Sequence, residues 1–340
     1  MGKFSLSSAL FLLLLPCLFL PLLLTDVPLF LRIIIILIKP EWNLLNYCVF
    51  PTLHSRLFAL FMISKTLITP AELSTLLTQK SIAIIDTRSP EEYEISHIPG
   101  AVNIREIFTY LAGSTEKDLI NLQLYFAEIF AKAGISGKEQ IILYEDAINK
   151  GYGQSCRGYF LLKYLGCPTV SVLCGGYRAW VEAKLPTTTE VPQPQKQEFI
   201  VNLHPEIMVT KEQMLHAIND PNIIILDVRD SNEWFALASS PYTPNFCPRK
   251  GRIPSAVWIE WYRFMTLDKK IPHFREKQEI LAICQSVGIN LNSTVYIYCF
   301  KGSRAANTLI ALQEAGIKNV RNYFASWNEW SRDLSLPVWD

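Results

Sequence analysis

The chain has 340 residues, 50% of them hydrophobic and 19% charged, with a formal net charge of +1. That length fits two domains plus an extension, and the near-zero charge balance excludes a global field for nucleic acid. The eight cysteines include no Cys-x-x-Cys pair, which argues against zinc and thioredoxin chemistry, and their scatter points to a reducing compartment rather than a disulfide scaffold.

From Phe4 to Thr25 no residue is charged, a run of 22 residues. A helix of that length crosses a bilayer, and Pro16 and Pro21 are kinks that membrane helices tolerate. A second apolar stretch, Val27 to Ile38, is interrupted by Arg32. Residues 1–38 read as an uncleaved membrane anchor. A signal peptide would end in a small-x-small site, and a transit peptide would be rich in Arg and Ser; neither pattern is present. Arg32 and Lys39 after the span, against Lys3 before it, place the globular part on the cytoplasmic side. Cleavage would instead make the protein exported or organellar. Residues 39–64 form a linker.

The remainder is one unit written twice. Each copy opens on a capped helix, Thr69-Pro70-Ala71-Glu72 and Thr210-Lys211-Glu212-Gln213. A continuous apolar strand follows, Ile82 to Ile85 before Asp86-Thr87-Arg88, and Ile223 to Leu226 before Asp227-Val228-Arg229. Next, Ile98-Pro99-Gly100-Ala101-Val102 matches Ile253-Pro254-Ser255-Ala256-Val257, and the strand Ile141 to Tyr144 matches Val295 to Tyr298. Both copies close on an aromatic helix, around Trp180 and around Trp327 and Trp330. Continuous β-branched runs alternating with helices predict an α/β fold of two doubly wound domains with parallel sheets. The first spans residues 65–186, the second 201–340, with a Pro-marked linker over 187–200.

The copies differ at the turn after the second long strand. One has Cys299-Phe300-Lys301-Gly302-Ser303-Arg304; the other has Glu145 and a longer, less basic loop. A cysteine between a strand and a helix N-terminus meets unpaired amides and the positive end of the macrodipole, which favour a thiolate nucleophile. Lys301 and Arg304 add positive charge, and Gly302 lets the backbone curl without a Cβ clash. The first copy reads as a scaffold and the second as the working unit. Cys156, inside the helix after Glu145, reads as a packed thiol.

Asp86-x-Arg88 with His97-Ile98-Pro99-Gly100-Ala101, Asp227-x-Arg229 with Gly251-Arg252-Ile253-Pro254, and the Cys299 loop together resemble the tandem rhodanese family of sulfurtransferases over roughly residues 65–338. The resemblance implies an inactive first domain and an active second one. It also implies transfer of a sulfane sulfur, held as a persulfide on Cys299, from thiosulfate or a mercaptan to cyanide or a thiol, with no cofactor. The binding residues would be Phe300, Lys301, Gly302, Ser303 and Arg304. Partners would be a small-molecule sulfur donor and acceptor, and the membrane through the N-terminal segment. Cysteine phosphatases of related fold carry a loop one residue longer between Cys and Arg, so this smaller cradle suits sulfur.

Two departures stand out. Glu233 occupies a position where some thiosulfate-using members carry a substrate-binding arginine, and its charge would repel a dianion. The second copy also holds an insertion: Asp227 to Ser255 spans 28 positions, against 14 from Asp86 to Gly100. Its basic end offers Arg249, Lys250 and Arg252 as compensating anion contacts. Asp227 and Arg229 read as a buried pair supporting the loops, since Asp86 and Arg88 repeat it. His97, Cys247, Trp327 and Trp330 read as structural. The alternative function is a rhodanese-like binding or scaffold module.

Overall fold

The computed structural model describes residues 65–340 apart from 79–81, 149 and 267–269. The expected anchor over 1–38 and the linker over 39–64 lie outside the described residues. Among the described residues no helix is long and apolar enough to cross a membrane.

The first copy runs β1 (Leu67–Ile68), α1 (Pro70–Leu76), β2 (Ile82–Asp86), α2 (Pro90–Ile95), β3 (Ala101–Asn103), α3 (Glu106–Thr109), α4 (Glu116–Lys132), β4 (Gln140–Tyr144), α5 (Gln154–Tyr164), β5 (Val170–Leu173) and α6 (Gly176–Glu182). The second runs α7 (Lys211–Ala217), β6 (Ile223–Asp227), α8 (Ser231–Trp234), β7 (Val257–Trp258), α9 (Lys277–Gln285), β8 (Thr294–Tyr298), α10 (Ser303–Glu314), β9 (Val320–Asn322) and α11 (Ser326–Trp330). Both opening helices carry the reciprocal cap their sequences predict: Thr69 with Glu72, and Thr210 with Gln213.

Both sheets are parallel, in the orders β1-β5-β4-β2-β3 and β7-β6-β8-β9. The counterpart of the β1–β5 pairing shrinks in the second copy to a single bridge between Met208 and Asn322. The long strands are buried on both faces, which explains their unbroken apolar runs. Register sets Asp86 beside Tyr144 and Asp227 beside Tyr298. Each aspartate binds the arginine two residues on, and that arginine reaches a carbonyl beyond it, Ser96 for Arg88 and Gly251 for Arg229. The same network in both copies marks Asp227 and Arg229 as loop supports.

The two copies share one apolar core, which runs from Phe126, Leu143 and Phe160 to Leu226, Ile297 and Phe324. At its centre α5 and α10 pack with their N-termini together. Gly153, at a φ of 73°, makes this approach possible: a Cβ there would lie 2.8 Å from the Ser303 carbonyl oxygen and 3.0 Å from the Asn307 Cβ. The segment between the copies is tied down, with Gln197, Ile200 and Asn202 donating backbone hydrogen bonds to Ala131, Ser136 and Leu165.

Candidate functional site

Cys299 follows β8 directly and is 1% exposed. The Gly302 amide donates to its Sγ at 3.1 Å. This geometry follows from where the loop carbonyls go. The Cys299 and Phe300 carbonyls accept from the first amides of α11, Trp327 and Asn328. The Lys301 carbonyl accepts from Arg157 Nε at 3.0 Å, and the Gly302 carbonyl from Asn322 Nδ2 at 3.1 Å. Four successive carbonyls are thus engaged by other partners, while the Gly302 amide is directed at the sulfur. Gly302 itself has a φ of 85°, and a Cβ there would meet the Phe324 carbonyl oxygen at 2.6 Å. Ser303 opens α10, with its Oγ buried and unpartnered among the described residues.

The charges are distributed differently from the sequence expectation. Arg304 is fully buried and binds Glu233 through two nitrogens, at 2.6 and 3.0 Å, and Asp230 at 3.0 Å. Burial opposes its charge, but Glu233 and Asp230 more than offset that, so its pKa is raised. Glu233 is therefore not a charge left to repel a dianion; it is neutralised by the arginine that was expected to bind one. Arg249 is likewise occupied. Its guanidinium donates to the carbonyls of Trp330, Ser331, Asp333 and Leu336, which fastens the C-terminal tail. Arg252 lies over the Trp234 ring and donates to the Trp234 carbonyl. Arg249 is thus fully engaged, whereas Arg252 is held only by that bond and that ring, and Lys250 makes no side-chain hydrogen bond among the described residues.

Lys301 remains. It is 6% exposed, with Nζ 3.6 Å from the centroid of Phe108 and 5.0 Å from that of Tyr242. Burial, then repulsion from Arg157 and Arg105, lowers its pKa to about 6.

Three first-copy residues at this site were missed by the sequence reading: Arg105, Phe108 and Arg157. Nothing in their local pattern announces them, because they reach the loop only through docking of the copies. Arg157 is fully buried, and it also donates to the carbonyls of Ile107 and Tyr110. The insertion contributes aromatics rather than charge: Tyr242 and Phe246 stand edge-on to Phe300, at 5.4 and 5.6 Å. Cys247 is a free buried thiol whose amide donates to Ser239 Oγ. Cys156 is buried in α5 beside Asn307. His97 stacks on Tyr93, and Trp327 and Trp330 are fully buried, all as expected. Among the described residues no three His, Cys, Asp or Glu side chains cluster as metal ligands.

The Rhodanese-like domain family matches residues 69–183 and 210–333. The chain belongs to that family. It is 25% identical over 271 residues to the thiosulfate sulfurtransferase of Azotobacter vinelandii, covering 80% of this chain and 96% of the relative. It is 28% identical over 256 residues to the sulfur carrier protein TtuD of Thermus thermophilus, covering 72% and 86% respectively. The wild-type structure of EanB superposes with a TM-score of 0.70 at 22% identity, over 80% of this chain and 68% of that one, a likeness of fold. This rhodanese-like chain therefore carries the family unit twice, with a thiol at the loop of only one copy.

Proposed function

We propose that the protein is a sulfurtransferase that carries a sulfane sulfur on Cys299, from thiosulfate or a related anionic donor to a thiophilic acceptor such as cyanide or a thiol. The observation that carries this reading is the Cys299 Sγ held at 3.1 Å by the Gly302 amide in a loop whose carbonyls from Cys299 to Gly302 are bound by other partners. Such a turn stabilises a thiolate and then the terminal sulfur of a persulfide, both anions.

The first step forms a bond between Cys299 Sγ and the outer sulfur of thiosulfate. The bond between the two donor sulfurs breaks, and its electron pair leaves on sulfite. In the second step the acceptor attacks that outer sulfur, the Cys299–sulfur bond breaks, and the thiolate returns. Cyanide leaves as thiocyanate, and no external oxidant or reductant is needed. Both steps pass negative charge through one cradle, so fixed amides serve each without rearrangement. The first copy, without a thiol at the corresponding turn, is silent in this reading.

Steady-state thiocyanate formation with thiosulfate and cyanide tests it. A double-displacement pattern that vanishes in Cys299→Ser supports the proposal. No turnover with any sulfur donor, from protein that folds normally, would favour the scaffold reading. The uncharged run from Phe4 to Thr25 supports a membrane tether, and Arg32 and Lys39 after it support a catalytic part on the cytoplasmic side; recovery of the full chain in an alkali-washed membrane fraction would test the tether.

A further inference from the structure

Most of the basic side chains that the second copy brings near its own site are already engaged. Arg229, Arg304, Arg249 and Arg252 are bound to Asp227, to Glu233 and Asp230, and to main-chain carbonyls. Lys301, though 6% exposed, donates no hydrogen bond and makes no ion pair among the described residues. Buried ammonium groups ordinarily have such a partner, since leaving one without is costly. Here aromatic rings stand in for it, which compensates only partly.

A second cation lies against one of those rings. Arg105 Cζ is 4.6 Å from the Phe108 centroid, and Lys301 Nζ is 3.6 Å from the same centroid. Arg105 is half-buried, and its described hydrogen bonds leave through Nη1 alone, to the Thr87 carbonyl and to Gln154 Oε1. Glu92, Glu91 and Asp86 act on it through space, without an ion pair. Burial, and after it repulsion from Arg157 and Arg105, pushes the Lys301 pKa down to about 6, in keeping with this crowding of like charge. Neither Lys301 nor Arg105 has a carboxylate within ion-pair distance among the described residues, and both stand against one phenyl ring, which leaves a place for an anion.

We infer that Arg105 of the first copy and Lys301 of the second jointly hold the anionic group of the sulfur donor, so that the silent copy supplies part of the charge recognition. This rests on the reading of Cys299 as the sulfur carrier. The donor class is a small molecule with its sulfane sulfur at one end and a sulfonate or carboxylate at the other. Arg105 would then replace the arginine that Glu233 displaces.

Alkylation of Cys299 in the full chain tests the subsite without any sulfur chemistry. Iodoacetate and iodoacetamide deliver the same reaction with and without a negative charge, so their rate ratio reads the attraction of the site for an anion. We expect the ratio to fall about tenfold in Arg105→Gln, with the iodoacetamide rate unchanged, and to recover in Arg105→Lys. An unchanged ratio would overturn the inference. So would an equal slowing with both reagents, because that marks a residue that only shapes the loop. Intact mass of wild-type protein after thiosulfate treatment separates the two readings. A ratio that falls in Arg105→Gln, with no sulfur gained by the wild type, would sustain the anion subsite and remove the sulfur-transfer reading.

Discussion

Cys299 and Glu145 hold the same place in two copies of one unit. Each follows a buried strand in register with an aspartate-ending neighbour, and each is 1% exposed. Each faces the start of a helix opened by a left-handed glycine, Gly302 or Gly153. What meets the loop differs. In the second copy an amide points at a thiol. In the first, the Glu145 carboxyl accepts from the Gln154 amide at 3.1 Å and from Ser155 Oγ at 2.8 Å. The first copy thus fills the corresponding space with the Glu145 side chain. In the proposed reading it is silent by occupation, with its architecture intact. Arg157, at the same time, spans the boundary to hold the Lys301 carbonyl. The copy without a thiol at its turn thus helps to shape the turn of the other.

The comparison breaks most sharply at the two turns themselves. Cys299→Ser is expected to abolish sulfur transfer, and adding Glu145→Cys to that variant is expected not to restore it. The first-copy turn has no lysine at the Lys301 position to recognise the donor. Thiocyanate formation by the double variant would contradict the assignment of a silent copy.

A smaller but still large effect is expected on stability at Arg304. Removing one partner of a buried ion pair leaves the other charge uncompensated, so Arg304→Ala should destabilise the fold by roughly 3–5 kcal/mol. Replacing both partners, Arg304→Met with Glu233→Leu, should recover most of that loss. Denaturant unfolding of the three proteins checks it. A mild effect of Arg304→Ala would mean that Glu233 is free to meet the donor after all.

Lys301→Ala should raise KM for thiosulfate about ten- to a hundredfold, the equivalent of roughly 1.5–3 kcal/mol, with little change for a neutral donor. With the free-enzyme pKa at about 6, the ammonium form becomes scarce above that pH, so KM for a dianion should rise with pH. For stability the direction is opposite to that for binding. The folded protein disfavours the charged lysine, so stability is lost as pH falls from about 10.5 toward 6. Lys301→Met should flatten that slope.

The smallest expected effect lies at Glu145, where burial raises the pKa to about 8. A raised carboxyl stabilises the fold most below its ordinary value of 4.5, and that contribution is lost as pH rises through about 8. Glu145→Gln should therefore match the wild type in acid and exceed its Tm by roughly 2–4 °C at pH 9. No gain in alkali would mean that the carboxyl is charged and welcome there, as a bound anion would be.

Much of this was legible in the sequence because it is local. The capping pairs Thr69–Glu72 and Thr210–Gln213, the unbroken strands before Asp86 and Asp227, and the Cys299 turn each depend on neighbours within a few residues. The repeat made them mutually supporting. Side-chain partners across the fold were not legible. Arg304 and Glu233 are 71 positions apart, and no spacing rule joins them. Arg249 looked like an anion contact because it is basic and lies in a long insertion; the carbonyls it serves belong to the C-terminal tail. Arg105, Phe108 and Arg157 were invisible for the same reason, since only docking of α5 against α10 brings them to the Cys299 loop.

The central claim is that Cys299 alone carries the sulfur while its counterpart is filled and silent. Intact-mass analysis of the protein after thiosulfate treatment, with peptide mapping, tests this most directly. The account predicts one added sulfur per chain, located on Cys299 and discharged by cyanide. A sulfur found on Cys247 or Cys156, or none at all from any sulfane donor, would contradict it.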